Sequence, residues 1–156
     1  DKINSSVSTI FRQIACFNFE LDLHNQIRAK GSLPKEEIAR LMNKHMQSYL
    51  GPVFKMQEND GYSFVYWSHL RRFFYVYSYA SGLLISKSLQ NSVKQNSKFI
   101  GKVKEVLSKG LSDSPKNIFK ELGIDITKKE FWLQGLQEVE QLLNETEALA
   151  KKLGKI

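Results

Sequence analysis

An all-α array of about six helices is the fold class that this sequence predicts. Two observations carry that reading: apolar residues recur at three- and four-residue spacing along most of the chain, and Gly, Pro or a capping residue stands at the end of each run. The 156 residues have the length of one domain, a single helical (sub)domain over 1–156, with room for a core that needs no disulfide.

The elements follow in order. From Ser5 or Ser6, the positions Val7, Ile10, Phe11, Ile14, Phe17, Leu21 and Ile27 mark the buried face of a long helix that stops at Gly31. Phe19 and Leu23 fall off that stripe and widen the apolar face, so this helix is expected to pack on more than one side. The second helix opens at Ser32-Leu33-Pro34, because proline suits a first turn and Glu36 and Glu37 favour the positive end of the dipole. It runs to Gly51-Pro52, buries Ile38, Leu41, Met42, Met46 and Tyr49, and should form an antiparallel hairpin with the first.

Residues 51–66 break the helical period at Gly51-Pro52 and again at Asn59-Asp60-Gly61, so they read as a structured loop or a short strand-like piece. Phe54, Tyr62, Phe64 and Tyr66 bring apolar area there that must be buried or used. Helical spacing returns from His69 to about Lys94, breaks near Gln95 to Ser97, and resumes through Phe99, Ile100, Val103 and Val106 to Gly110. Asp113-Ser114-Pro115 caps a short helix ending at Gly123. The last helix opens on Thr127-Lys128-Lys129-Glu130, the spacing of a capping box, and carries Phe131, Leu133, Leu136, Val139, Leu142, Leu143, Leu149 and Leu153.

Composition narrows the function classes. Apolar residues at 42% and charged residues at 25% are ordinary globular usage, which argues against disorder and against a membrane protein. No apolar run approaches the roughly 20 residues that span a bilayer, and the N-terminus lacks the order of a signal peptide. The net charge of +7 is spread singly and in pairs among acids rather than gathered in a stripe, so most lysines read as solvated helix faces. The lone Cys16, in an apolar context, reads as a core residue in a reducing, cytoplasmic setting. A start at Asp1, already close to helical sequence, suggests a chain cut from something longer.

HExxH, G-x-S-x-G, Gly-rich phosphate loops and Cys/His metal spacings are all missing from the sequence, and no metal ligand is assigned within it. His24 and His45 sit on separate long helices and read as structural. His69 keeps different company. With residues 72–86 on one helix, Arg72, Tyr75, Tyr79, Gly82 and Ser86 share a side, and Phe73, Phe74, Tyr77, Ala80, Leu84 and Ile85 form the opposite, core side. The first side suits a polar pocket whose phenols and imidazole donate hydrogen bonds to developing negative charge. Packing tyrosines with tethered hydroxyls would give the same spacing.

The segment WSHLRRFFYVYSYASG resembles the pattern W-x-x-H-x-x-x-x-F-Y-V-Y-x-Y-A-[ST]-G near the C-terminus of the oligoendopeptidase F family, zinc metallopeptidases related to thimet oligopeptidase. TIFRQIACFNFELDLH (9–24) is similar to that family's T-I-F-R-Q…F-E…H helix, and Tyr49-Leu50-Gly51-Pro52 to its Y-x-G stretch. SDSPKNIFKELGIDI (112–126) resembles its S-x-x-P…L-x-x-x-G-x-D segment, so the likeness covers nearly the whole chain. Ser68 and Leu70-Arg71-Arg72 replace the proline and aromatic residues common around the motif's histidine.

The resemblance implies a mainly helical body with a deep channel, in which a zinc held by an HExxH helix and a further glutamate hydrolyses short peptides. Those ligands precede the present segment, so this chain is expected to be the C-terminal portion of the catalytic domain, inactive alone and binding no zinc itself. The zinc belongs to the intact enzyme. His69, Tyr75 and Tyr79 are the candidates for donors to the tetrahedral oxyanion, with Arg72 and Tyr77 as substrate contacts. The expected partners are short peptides and the missing N-terminal portion, with neither nucleic acid nor membrane. Two rival readings stand beside it: a free-standing basic helical module for nucleic acid or an acidic partner, and a family member that binds peptides without cleaving them.

Overall fold

The computed structural model describes residues 2–156. Among them the regular elements are helical, and no strand is present. A first long helical run consists of α1 (Lys2–Val7), a π-helical stretch (Ser8–Arg12) and α2 (Gln13–Lys30). There follow α3 (Lys35–Leu50), two 3-10 helices (Glu58–Val65 and Ser68–Arg72), α4 (Tyr77–Gln95), a 3-10 turn (Ser97–Phe99), α5 (Ile100–Lys109), α6 (Pro115–Glu121) and α7 (Lys129–Lys152). The chain divides into two compact units, the first ending at Ser81 and the second running from Gly82 to Ile156.

In the first unit α2 and α3 form the antiparallel hairpin that the short connection predicts. Asp22 Oδ2 meets His45 Nε2 at 3.1 Å and Lys44 Nζ at 3.2 Å, and nearer the turn Lys30 Nζ meets Glu37 Oε1 at 3.0 Å. Their core contains Ala15, Cys16, Phe19, Leu41, Met42, Met46 and Val76. Burial among these side chains pushes the Cys16 thiol up to about 12, which makes it a core residue and no nucleophile.

The buried face of the first run differs from the apolar stripe expected. Phe11, Ile14, Leu21 and Ile27 are exposed, whereas Ile10, Gln13, Ala15, Cys16, Phe19 and Glu20 are buried. Two of those six are polar, and a tally of apolar positions excludes them. The inner face is set by what α3 and the following segment can pair with, and small Ala15 and Cys16 let α3 approach.

Residues 51–66 contain a 3-10 helix, not a strand. Gln47 of α3 anchors the approach to it: Nε2 donates to Gly51 O (2.6 Å) and Phe54 O (2.7 Å), and Oε1 accepts from Met56 N (3.2 Å). Asn43 Nδ2 donates to Gln57 O at 2.9 Å, and Gln57 N donates to Asp60 Oδ2 at 2.7 Å, which caps the turn. Gly61 then lies so close to α3 that a Cβ would stand 2.2 Å from Ala39 O. Of the segment's aromatics, Phe64 packs on the core while Phe54 and Tyr66 are exposed.

The helix expected over 72–86 begins only at Tyr77, because Phe73 (φ 43°) and Phe74 (φ 58°) hold left-handed backbone that no α-helix accommodates. Its assumed core side is revised accordingly: Phe73 and Tyr77 are 76% and 61% exposed, and Val76 is fully buried in their stead.

In the second unit, Phe119, Leu122 and Ile124 pack with Ile85, Leu89, Phe99, Val106, Ile126 and Phe131. Ser88 Oγ donates to Phe131 O at 2.6 Å, and Gly135 of α7 sits where a Cβ would meet Leu84 O at 2.6 Å. Buried Glu138 accepts from Asn91 Nδ2 at 3.2 Å and pairs with Lys94. Ser114 caps α6 by accepting from Asn117 N, as expected, and Gly110 ends α5 with φ 51°. The expected capping box at Thr127 does not form. The helix starts one residue later, with Lys128 at its N-cap, and Thr127 belongs to an Asx turn in which its N–H (2.9 Å) and its Oγ1 (2.6 Å) both donate to Asp125 Oδ1. Leu133, Leu143, Leu149 and Leu153 of the last apolar stripe are exposed.

Three outcomes follow for stability. Gly61→Ala must part the 58–65 segment from α3 and should cost about 1–3 kcal/mol. Gly82→Ala, in open space within α4, should gain about 0.5–1 kcal/mol, both read as shifts in the urea midpoint. Asp22 is held down to about 2 by its hydrogen bonds from Gln26 and His45 and by Lys44. A depressed carboxyl contributes stability that is complete above its unfolded pKa and lost as pH falls toward the folded value. The destabilisation caused by Asp22→Asn should therefore be full at pH 6 and fade between about pH 4 and pH 2.

Candidate active site

The candidate site grows from the reversal between the 3-10 turn Ser68–Arg72 and α4. Trp67 and Leu70 pack against the first unit's core, and Trp67 O accepts from Leu70 N at 3.2 Å. With Trp67 and Leu70 turned inward, His69 is left only half-buried beside the cleft. Arg71 fastens the turn from outside by donating to Val65 O.

Phe73 and Phe74 next take the left-handed conformation, which costs an L-residue roughly 1–2 kcal/mol each. Contacts from α2 hold that turn. Buried Glu20 accepts from Phe74 N through Oε1 at 2.6 Å, and the Phe17 and His24 rings lie 5.5 Å and 5.1 Å from the Phe74 ring. Val76 then drops into the core and α4 starts, with the Tyr75 ring, just before the helix, against the Tyr79 ring in its first turn.

The result is a four-residue stack. Tyr79 Oη and His69 Nε2 are 2.8 Å apart, a hydrogen bond whose donor depends on the imidazole tautomer. The His69 ring lies parallel to Tyr75 at 5.7 Å, Tyr75 meets Tyr79 edge to face at 5.7 Å, and the Arg72 guanidinium sits 5.7 Å from the Tyr75 ring centre.

His69 and Tyr79 open onto a cleft of about 1060 Å³, lined also by Arg12, Gln13, Asp60, Tyr62, Ser63 and Trp67 among others. Of the five residues expected from the sequence, the structure gathers His69, Tyr75, Tyr79 and Arg72. Only His69 and Tyr79 line the cleft; Tyr75 and Arg72 back them. Tyr77 joins none of the stack's ring contacts or hydrogen bonds among the described residues, its backbone carbonyl instead accepting from Ser81 Oγ.

The cleft also contains residues to which the sequence assigned no role in the site, two of them within the T-I-F-R-Q stretch. Arg12 and Gln13 follow from the π-helical stretch that ends at Arg12, and Gln13 Oε1 is buried without a partner among the described residues. A π turn within an α-helix is a recurrent mark of functional positions, but no residue pattern in Ser8–Arg12 announces it. Tyr62 had a visible signal, being one of the aromatics crowded into residues 51–66. Among the described residues no three His, Cys, Asp or Glu side chains come close enough together to hold a metal ion, so these residues do not fit a zinc site. Nor is any helix of the described chain long and apolar enough to cross a membrane.

The model of Peptidase family M3 matches residues 1–138. The chain belongs to peptidase family M3. It is 30% identical over 129 residues to the Oligoendopeptidase F homolog of Borreliella burgdorferi, covering 82% of this chain and 22% of that protein. It is 26% identical to Oligopeptidase PepF of Bacillus subtilis, with 93% of this chain and 22% of that protein covered. With Oligoendopeptidase F of Lactococcus lactis subsp. cremoris the identity is 25%, over 96% of this chain and 25% of the relative. The chain thus spans about a quarter of the length of these curated relatives. No solved structure matches it significantly. The M3 match runs across every element of the candidate site, from Arg12 to Tyr79.

Proposed function

We propose that this chain is the C-terminal portion of a zinc-dependent oligoendopeptidase, supplying the His/Tyr wall that stabilises the transition state for hydrolysis of short peptides. The observation that carries the reading is the 2.8 Å contact between Tyr79 Oη and His69 Nε2 at the edge of the 1060 Å³ cleft. Membership of Peptidase family M3 and the names of the relatives, oligoendopeptidase F and oligopeptidase, support the reaction class.

The chemistry follows from the hydrogen-bond inventory. Addition of water to a peptide carbonyl places negative charge on the former carbonyl oxygen. When His69 Nε2–H donates to Tyr79 Oη, the phenol keeps its own proton and turns it toward that oxygen. The donation polarises the O–H, so the pair acts as one strengthened donor. Such a donor is aimed before the charge develops and is worth about 2.7–4 kcal/mol, or roughly 10²–10³ in kcat. Tyr75 keeps the imidazole in plane by stacking, the Arg72 guanidinium lies over the Tyr75 ring, and Arg72 and exposed Tyr77 meet the peptide outside the cleft.

On this reading the metal's ligands belong to the remainder of a longer protein, and the isolated chain is expected to be inactive. The relatives, of whose length the aligned portion covers 22%, support such a remainder as its partner. A reducing, cytoplasmic setting suits the single buried thiol.

In the intact protein, Tyr79→Phe should lower kcat on a short peptide by roughly 10²–10³ at unchanged zinc content, with a smaller loss for Tyr75→Phe. Unaltered kcat in both would remove the tyrosines from the mechanism. Stoichiometric tight zinc on this chain alone would contradict the assignment of the ligands elsewhere.

A further inference from the structure

His69 and Tyr79 lie ten residues apart, and what lets them meet is the left-handed pair Phe73–Phe74 between them. Neither is glycine, so the conformation has to be held from outside. Phe73 is largely exposed and gives little purchase, and the grip falls on Phe74, through its backbone N–H and its ring. The partner of that N–H is the carboxylate of Glu20, 54 residues earlier, 1% exposed and inside the first unit's core.

A buried carboxylate on an otherwise packed helix is costly unless it does something that an apolar residue cannot. Glu20 Oε2 has no hydrogen-bond partner among the described residues, and His24 Nε2 stands 4.0 Å from Oε1, longer than a hydrogen bond. Stability by itself gives no account of this residue. Its one short contact is the amide of the left-handed turn.

We infer that Glu20 is the positioning residue of the His69–Tyr79 pair: its carboxylate holds the Phe73–Phe74 reversal and thereby the register in which the imidazole reaches the phenol. This rests on the function proposed above, since positioning matters to catalysis only if the pair stabilises the transition state. Glu20 itself touches neither residue of the pair. It acts through Phe74 N, and Tyr75, the next residue, transmits the position by stacking on His69.

The test has a catalytic arm and a spectroscopic arm. In the intact protein, Glu20→Ala should lower kcat at least about tenfold with KM little changed, whereas Glu20→Gln, which keeps an acceptor, should stay within about threefold of wild type. Adding Phe73→Gly to Glu20→Ala should restore part of kcat, because glycine takes the left-handed conformation without strain. In this chain, ring ¹⁵N spectra of His69 should report loss of the Tyr79 hydrogen bond in Glu20→Ala and its retention in Glu20→Gln, at unchanged helical circular dichroism.

Equal damage from Gln and Ala, no recovery with Phe73→Gly, or His69 spectra unmoved by Glu20→Ala would each overturn the inference. Should Glu20→Ala fail to fold, Glu20→Gln still decides: kcat lowered about tenfold or more, or a lost His69 hydrogen bond, at unchanged circular dichroism overturns the inference. If the wild-type intact protein cleaves no peptide, the proposed function falls while the His69 spectra continue to judge the positioning role.

Discussion

A hydrogen bond from Phe74 N to the buried carboxylate of Glu20 is the contact on which the site geometry depends. It secures two consecutive left-handed residues, and those residues decide where α4 begins. Without the reversal, residues 68–86 would run on as one helix. His69 and Tyr79 would then lie ten residues, about 15 Å, apart along its axis. With it, the turn folds back and the two side chains meet at 2.8 Å. The strain is local, and the contacts that offset it come from α2: one hydrogen bond and two aromatic rings.

Each side chain around the pair has a definable task. Tyr75 and Arg72 form a backing layer, ring on ring and cation over ring. Val76 pins the start of α4 in the core shared with Phe19 and Met42. On the other rim, Gln47 and Asn43 tie the irregular segment that carries Asp60, Tyr62 and Ser63. That rim can approach α3 closely only because residue 61 lacks a side chain. The cleft is therefore built from irregular backbone on a regular frame. The hairpin α2–α3 supplies the frame, and hydrogen bonds from its side chains fix the loops that reach the cleft.

Much of this was legible in the residues. Gly31, Gly51 and Gly110 mark the observed ends of α2, α3 and α5, and Ser114-Pro115 the start of α6, because φ > 0 and capping demand particular residues. The cluster of Trp67, His69, Tyr75 and Tyr79 was visible as composition, and its family resemblance agrees with the match to Peptidase family M3. Three features were hidden for physical reasons. The left-handed Phe73–Phe74 turn uses residues that ordinarily avoid it, and the contacts that hold it, from Phe17, Glu20 and His24, come from more than 48 residues earlier in the chain. The inner face of α2 includes Gln13 and Glu20, which no apolar periodicity can show. Exposed Phe11, Ile14, Leu133 and Leu143 look like core positions in the sequence but have no cover within their own units.

On the proposed function, the Tyr79 hydroxyl, set by His69, binds the charge that develops in the transition state. A peptide phosphinate, whose tetrahedral oxygens imitate that charge, measures it most directly in the intact protein. Tyr79→Phe should weaken phosphinate inhibition by the same factor by which it lowers kcat/KM, while leaving the affinity for an uncleaved substrate-like peptide nearly unchanged. Phosphinate affinity equal in wild type and Tyr79→Phe would contradict the account.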